Sequence, residues 1–416
     1  MKAVEGWETV KVEQCCEILD CKRVPINTVD REKRIGEIPY YGANGLQGYI
    51  DGFIFDEPLI LIAEDGGCFD EFASRPIAYR IYGKSWVNNH AHVLRVKKEF
   101  CQDAIFYNLE HKDIQSFIVG GTRSKLNQSA LRSITLTLPT SKPEQTKIAE
   151  ILSTVDRAIE QTAALIAKQQ RIKTGLMQDL LTRGIDEHGN LRSEQTHQFE
   201  DSPLGRIPVE WALKRIGDIF EIQLGKMLSQ KATEGRSPFF YLGNKNVQWD
   251  RVDTSGLQLM DFNERERRKF DLKFNDILVC EGGEVGRTAI WRGEVKNCYY
   301  QKAVHRLRPI DQQFLPGLFP RFMKWCIRAG LLSDYTSQTS IAHLTQEKLA
   351  AVPIKVPPLP EQRKLNAVFD QLDNELGNQS AKLSKLHSLK TALMQDLLTG
   401  NKRVVELLID KEEGAT

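Results

Sequence analysis

Residues 173–182 read KTGLMQDLLT and residues 390–399 read KTALMQDLLT, differing only at Gly175 against Ala392. Near-identity of that length inside one chain marks an internal duplication, so the fold must be built from two copies of one plan. The match runs upstream without a gap, at a spacing of 217 residues, to Pro143-Glu144-Gln145 and Pro360-Glu361-Gln362. Before these tripeptides it continues one residue out of step. Leu126, Leu131, Ile134, Leu136 and Leu138 then fall on Leu344, Leu349, Val352, Ile354 and Val356. Further upstream only an apolar skeleton agrees. Ile60-Leu61-Ile62 with Glu64 matches Ile277-Leu278-Val279 with Glu281, His92-Val93-Leu94-Arg95 resembles His305-Arg306-Leu307-Arg308, and Trp7 with Ile18 resembles Trp211 with Ile222. The order is domain, helix, domain, helix.

The repeated segments have helix grammar. Pro143 and Pro360 suit a first helical turn, where a missing N–H costs nothing. Ser141 with Glu144 has the spacing of a capping box, and Gly184 and Gly400 stand where C-terminal caps belong. Between them apolar residues recur in steps of four and three: Ile148, Leu152, Val155 and Ile159 in the first copy, Leu365, Phe369, Leu372 and Leu376 in the second. The seam holds one register over more than four heptads, which predicts two coiled-coil helices of ~60 Å. Packed antiparallel about a pseudo-two-fold axis, they would carry one domain at each end. Thr162 and Gln379, and Lys173 and Lys390, are the polar seam positions, and such residues fix register. Full antiparallel overlap would bring Lys173 to Asp373 and Lys390 to Asp156. The fold class expected is α+β: two globular α/β domains separated by an antiparallel pair of long helices, in a pseudo-two-fold repeat. The boundaries are 1–142 and 205–359 for the domains, 143–186 and 360–401 for the helices, 187–204 for a polar linker and 402–416 for a tail.

Composition excludes some classes. No stretch approaches the ~18 apolar residues of a membrane span, and Met1 to Val10 has no apolar run of the secretory kind. The eight cysteines form no Cys-x-x-Cys pair and read as reduced thiols of a cytoplasmic protein. A net charge of +2 argues neither for nor against nucleic acid. Two clusters are basic, Arg265, Arg267, Arg268 with Lys269, and Arg123 with Lys125. Each reads as a solvated surface or as a phosphate contact.

Catalytic motifs are missing. The one Pro-Pro pair, Pro357-Pro358, follows a strand-like run and lacks the Asn or Asp of an adenine methyltransferase. Gly282-Gly283-Glu284-Val285-Gly286-Arg287 has no Gly-Lys-Ser/Thr and reads as a turn. Asp276 with Glu294 and Lys296 has the residue types of a metal-dependent DNA endonuclease, in a loose and common pattern. His90 and His92 read as ordinary polar side chains, so no metal site is expected. The segment Tyr40 to Tyr49 combines turns, aromatics and amides, among them Tyr41, Asn44 and Gln47. Its counterpart holds Tyr241, Asn244, Lys245, Asn246, Gln248 and Trp249. Asn and Gln can bond adenine through two hydrogen bonds. A polar turn is the other reading of each segment.

With these motifs the chain resembles the specificity subunit of type I restriction-modification systems over nearly its whole length. The resemblance rests on the two Pro-Glu-Gln helix starts, the two LMQDLLT segments, the loop Gly120 to Asn127 (GGTRSKLN), and Asp201 to Pro208 (DSPLGRIP) ahead of Trp211. Thr140-Ser141-Lys142 departs from the Pro-Leu-Pro run frequent at that place. The resemblance implies a non-catalytic DNA-binding chain whose two domains are target-recognition domains, each reading half of a bipartite, asymmetric site in double-stranded DNA. It implies two methyltransferase subunits that methylate adenine N6 with S-adenosylmethionine, and restriction subunits that use ATP and Mg²⁺. This chain itself would bind no cofactor. The matching helix ends, Leu176, Met177, Gln178, Asp179 and Leu393, Met394, Gln395, Asp396, would offer two identical partners equivalent docking faces, or else serve only to pack the coil.

Overall fold

The computed structural model describes residues 4–120, 124–229, 232, 237–335 and 343–408. The chain forms two compact units, one of Met1–Ala164 with Ser380–Thr416, the other of Leu165–Gln379. Both expected long helices are present, at Lys142–Leu180 and Leu359–Leu397, 39 residues each. Each is shared between the units, which differs from the expected division into domains and separate helices. Packing explains it. Ile148, Leu152, Leu393 and Leu397 enter the core of the first unit, and Met177, Leu180, Leu365 and Phe369 that of the second.

In the first unit a four-stranded antiparallel sheet runs in the order Cys16–Ile18, Ala91–Val96, Leu59–Ala63, Ala78–Ile81. Leu59–Ala63 is buried on both faces, so its sequence, LILIA, shows no alternation. A second sheet has the order Gly45–Ile50, Ile38–Gly42, Lys84–Val87, Phe55–Asp56, and its inner pair is parallel. A ribbon of Trp7–Lys11 with Thr135–Pro139 leads into the first long helix.

The second unit repeats this plan. Its antiparallel sheet runs Phe220–Leu224, Val304–Pro309, Ile277–Cys280, Thr288–Ile290. Its smaller sheet runs Gln258–Asp261, Pro238–Leu242, Tyr299–Tyr300, with the last pair parallel. Ala212–Arg215 pairs with Pro353–Val356 ahead of the second long helix. The faint sequence matches thus mark equivalent strands. Ile60 to Ile62 and Ile277 to Val279 are central, and the His-led runs lie beside them.

Within each unit the helix segments run antiparallel in the expected register. Lys173 pairs with Asp373 in the second unit, and Lys390 Nζ lies 2.8 Å from Asp156 Oδ1 in the first. Burial would raise the Asp373 carboxyl, but Lys173 and Arg321 hold it below its ordinary value. Lys390 also meets Glu110 at 2.9 Å. Thr162 turns its hydroxyl onto the Ala158 carbonyl at 2.7 Å.

The Pro-Glu-Gln starts are clamps. Glu361 receives both terminal nitrogens of Arg192 (2.6 and 3.0 Å), Trp211 Nε1 (3.0 Å) and the Ile185 N–H (2.8 Å). Glu144 receives Arg403 through two bonds, 2.6 and 2.8 Å. So each glutamate seizes the chain that leaves the other long helix. Two expectations change here. Glu144 serves Arg403 instead of a capping box with Ser141. Residues 187–204 are more than a polar linker, since Arg192 is buried and Phe199–Glu200 pairs with Ile207–Pro208. Gln145 donates to Pro139 O and accepts from Cys101 N, and Gln362 donates to Pro357 O and accepts from Leu315 N. Gly184 (φ +64°) and Gly400 (φ +75°) end the helices in the left-handed region, as caps do. Among the described residues no helix is long and apolar enough to cross a membrane. All eight cysteines are free thiols.

Candidate functional site

The residues of the endonuclease alternative do not form a metal centre. Asp276 is buried under Arg308, which reaches it at 2.7 and 2.6 Å, and it also accepts from the Lys273 N–H. Its charge is already compensated. Glu294 is exposed and accepts from the Arg292 N–H at 2.9 Å, and Lys296 is exposed. Carboxylate-rich spacing here reflects an ion pair and a turn, and this alternative is withdrawn.

The amide-bearing segments lie at equivalent places in the two units. Each follows an inner strand of its unit's second sheet, one that pairs in parallel, and abuts the glycine turn after the central strand. Asn44 Nδ2 donates to Gly66 O at 2.9 Å, and Asn244 Nδ2 to Gly282 O at 2.5 Å. Gly66 and Gly283 have φ of +64° and +71°, a conformation glycine adopts without strain. The expected turn at 282–287 is therefore present. Gln47 is exposed and accepts from Asn88 Nδ2 at 3.3 Å. Tyr41 is half-buried beside Tyr79, with ring centroids 6.0 Å apart. In the second unit Tyr241 is buried and donates its hydroxyl to Gln258 Oε1 at 2.8 Å. Asn246 is buried, with its Oδ1 on the Gly243 N–H and its Nδ2 on Asp253 O. Both amide groups are spent on the turn, so Asn246 leaves the set of candidate readers. Gln248 donates to Lys245 O at 2.7 Å. Sequence reasoning missed Asn88, Gln258 and Gln301, which border these clusters from other strands. Only a tertiary pairing brings them there, and no local pattern signals it.

His92 is fully buried, unlike an ordinary surface histidine. Its Nδ1 faces Asp20 Oδ2 at 2.6 Å and its Nε2 faces Leu126 O at 2.7 Å. Asp20, Glu64 and His92 gather within 4.8 Å, a set of groups that could hold a metal ion. Arg23 already supplies the cation, 2.7 Å from Glu64 and 3.6 Å from Asp20, and Lys125 lies 3.1 Å from Glu64. Burial would raise the Asp20 carboxyl; the hydrogen bond and charge of His92, with Arg23, bring it below its ordinary value. His305 repeats the bond, from Nε2 to Leu344 O at 2.8 Å, but its Nδ1 has no partner among the described residues. This buried histidine pins the return of the chain toward the ribbon in each unit. His90 pairs with Asp65 at 2.7 Å. Lys125 is exposed beside the loop, and Arg123 lies outside the described residues.

Arg265, Arg267, Arg268 and Lys269 fall on a short helix, Glu264–Lys269. Arg265 is exposed, Arg267 lies over the Phe239 ring at 5.2 Å, and Arg268 pairs with Glu264. On the helix ends the leucines and methionines turn inward. Met177 is buried, and Leu176, Leu393 and Met394 pack on their own unit's core. Gln178 and Gln395 stay exposed, with Asp179 and Asp396 half-buried. Ile172 and Leu389, one repeat apart, are both close to half exposed.

The sequence model of the family "Type I restriction modification DNA specificity domain" matches residues 4–169 and 208–386. A Haemophilus influenzae protein provisionally assigned as a type I restriction enzyme specificity subunit is 28% identical over 89% of this chain and 89% of its own length. The type I restriction enzyme MjaVIII specificity subunit of Methanocaldococcus jannaschii is 25% identical over 98% of this chain and 95% of its own. The fold is that of the type I restriction-modification S subunit crystal structure from M. genitalium, with a TM-score of 0.60 and 18% identity, covering 95% of this chain and 98% of that one.

Proposed function

Because the chain belongs to the type I restriction modification DNA specificity family, with both of its repeats matched, we propose that each unit reads one half of a bipartite, asymmetric site in double-stranded DNA. As a specificity subunit it is the recognition component of the enzyme and catalyses nothing itself. The carrying observation is a contrast. The two units share a strand plan and near-identical helix ends, yet their amide-bearing turns differ in sequence. Unlike reading turns suit unlike half-sites, and like helix ends suit two copies of one partner.

That partner is the modification subunit, which methylates adenine N6 with S-adenosylmethionine. Restriction subunits join it and use ATP and Mg²⁺ for cleavage, in the cytoplasm where the DNA lies. The chain's own contribution is to hold and orient. Tyr41, Asn44 and Gln47 in the first unit, and Tyr241, Asn244 and Gln248 in the second, border the base-reading turns. Lys125, Arg123, Arg265, Arg267 and Arg268 are of the residue types that contact phosphate, which sets register without reading sequence. The reading domains of this proposal are 1–142 and 205–359. On each helix end the docking face consists of Ile172, Gln178 and Asp179, or Leu389, Gln395 and Asp396. Leu176, Met177, Leu393 and Met394 support it from beneath.

The experiment is co-expression of the chain with its modification subunit in a host free of other adenine methylation, followed by methylome sequencing. One bipartite motif with methylated adenine in both halves is expected. An unmodified genome, in cells where the complex can be isolated, would refute the reading.

A further inference from the structure

In both units a glycine makes room for a glutamine amide. Gly42 ends the inner strand of the first unit, and a Cβ added there would overlap the Gln47 side-chain amide. Gly243 follows the equivalent strand of the second, and its Cβ would fall 2.8 Å from Gln301 Nε2. The two glycines hold the same place. Each follows the residue whose carbonyl accepts from the amide after the parallel partner strand: Asn88 N to Tyr41 O, and Gln301 N to Leu242 O, both 3.0 Å. The glutamines reach it from different elements, Gln47 from the hairpin strand Gly45–Ile50 and Gln301 from beyond Tyr299–Tyr300. The repeat has thus kept the position of the amide while changing the residue that supplies it.

The second site is concave. Tyr241, Gly243, Asn244, Lys245, Asn246, Gln258 and Gln301 line a cavity of ≈ 260 Å³. Asn246 is spent on the turn, but other polar groups here are not. Tyr241 takes only the Oε1 of Gln258. Asn244 Oδ1 is shut from solvent and has no hydrogen-bond partner among the described residues, a cost in the free chain that a donor would relieve. Gln301 offers both a carbonyl and an NH₂ at the rim.

We propose that Gln47 and Gln301 are the specificity-determining side chains of the two units, each laid against a glycine so that its amide meets the edge of one adenine in the half-site. A glutamine amide accepts from adenine N6–H₂ and donates to N7, a pairing that no other base edge offers. Asn44 and Asn244 are positioning residues that fix the turn to the glycine carbonyl. This inference rests on the reading of the chain as a DNA specificity subunit.

The test is methylome sequencing of the full complex with the wild-type chain, Gln47→Ala and Gln301→Ala. A wild-type chain that directs no motif would fail the underlying reading alone. Given a wild-type motif, Gln301→Ala should relax one adenine position in one half-site by roughly ten- to a hundredfold. Gln47→Ala should relax one position in the other half. Gln301→Glu, which only accepts, should move preference at that position toward cytosine. Gly243→Ala should reproduce Gln301→Ala, since it displaces the same amide; binding of the variants to modification subunits shows that they fold. Alanine variants that methylate the unchanged motif at the wild-type level would overturn the proposal. So would relaxation of both half-sites by either single variant, or relaxation at a position specifying a base other than adenine.

Discussion

Glu361 and Glu144 occupy the same repeat position but work in different surroundings. The Arg192–Glu361 pair is almost wholly buried, whereas Arg403 is a third exposed beside Glu144. Glu144 is as buried as Glu361, so the difference lies in the arginines: neutralising Glu361 strands a buried guanidinium, while Arg403 still reaches water when Glu144 is neutralised. Glu361→Gln is therefore expected to destabilise the second unit by about 3 kcal/mol, and Glu144→Gln the first by about 1 kcal/mol, in urea titrations. Trp86 reports on the first unit, and Trp249 and Trp291 on the second. His305 gives a pH dependence. Burial lowers its affinity for a proton in the fold, below its ordinary 6.5. The unfolded chain then binds the proton first as pH falls, so this stability is present above about pH 6.5 and is lost below it. The second unit should weaken from pH 7 to pH 5, and His305→Gln, which can keep the bond to Leu344 O, should flatten the curve. An unchanged slope would show that another group titrates. The glutamates could be read in advance only as part of a repeated tripeptide. Their arginines stand at unequal distances past the helix ends, so no repeat spacing points to them.

At the scale of elements, the seam register was legible because helical periodicity links sequence spacing directly to a face. Lys173, Asp373, Lys390 and Asp156 meet as that register requires. The pairs differ in depth, however. Lys390 is enclosed by Asp156, Glu110 and the Tyr107 ring, while Asp373 keeps Arg321 when Lys173 is lost. Lys390→Ala should cost about 2 kcal/mol and Lys173→Ala about 1 kcal/mol. A double-mutant cycle on Lys390 and Asp156 should return a coupling above 0.5 kcal/mol; additive effects would show that the pair is decorative. Strand positions were legible where an apolar run is buried on both faces, as in Leu59–Ala63 and Ile277–Cys280. The amide clusters were half legible. Gln47 sits in a turn-rich segment, but Gln301 reaches its place through a parallel strand pairing far along the chain. Asn246 looked like a reader only because sequence does not reveal which polar groups a turn consumes.

For the whole molecule, the long helices carry one prediction. Seven residues inserted into each, at facing positions, preserve the heptad phase and add about 10 Å of helix. If helix length sets the interval between the half-sites, the methylated motif should gain about three unread base pairs, at ~3.4 Å per pair. A motif of unchanged spacing, from a complex that still methylates, would separate helix length from DNA geometry. The duplication made the architecture readable because it presents each strand and helix twice, and agreement between copies separates structure from chance. It could not show that the compact units exchange their helix halves, since the same heptads satisfy a free-standing coil equally well.

That exchange sets an order of events at the ribosome. The first 164 residues here emerge before the second unit, but the segment that closes over Ile148 and Leu152, including Leu393, Leu397 and Arg403, is made only after that unit. The middle of the chain can complete itself while its beginning still waits with an uncovered apolar stripe. A premature stop shortly before residue 380 would therefore injure the part translated first and spare the part translated later, reversing the usual polarity of truncation.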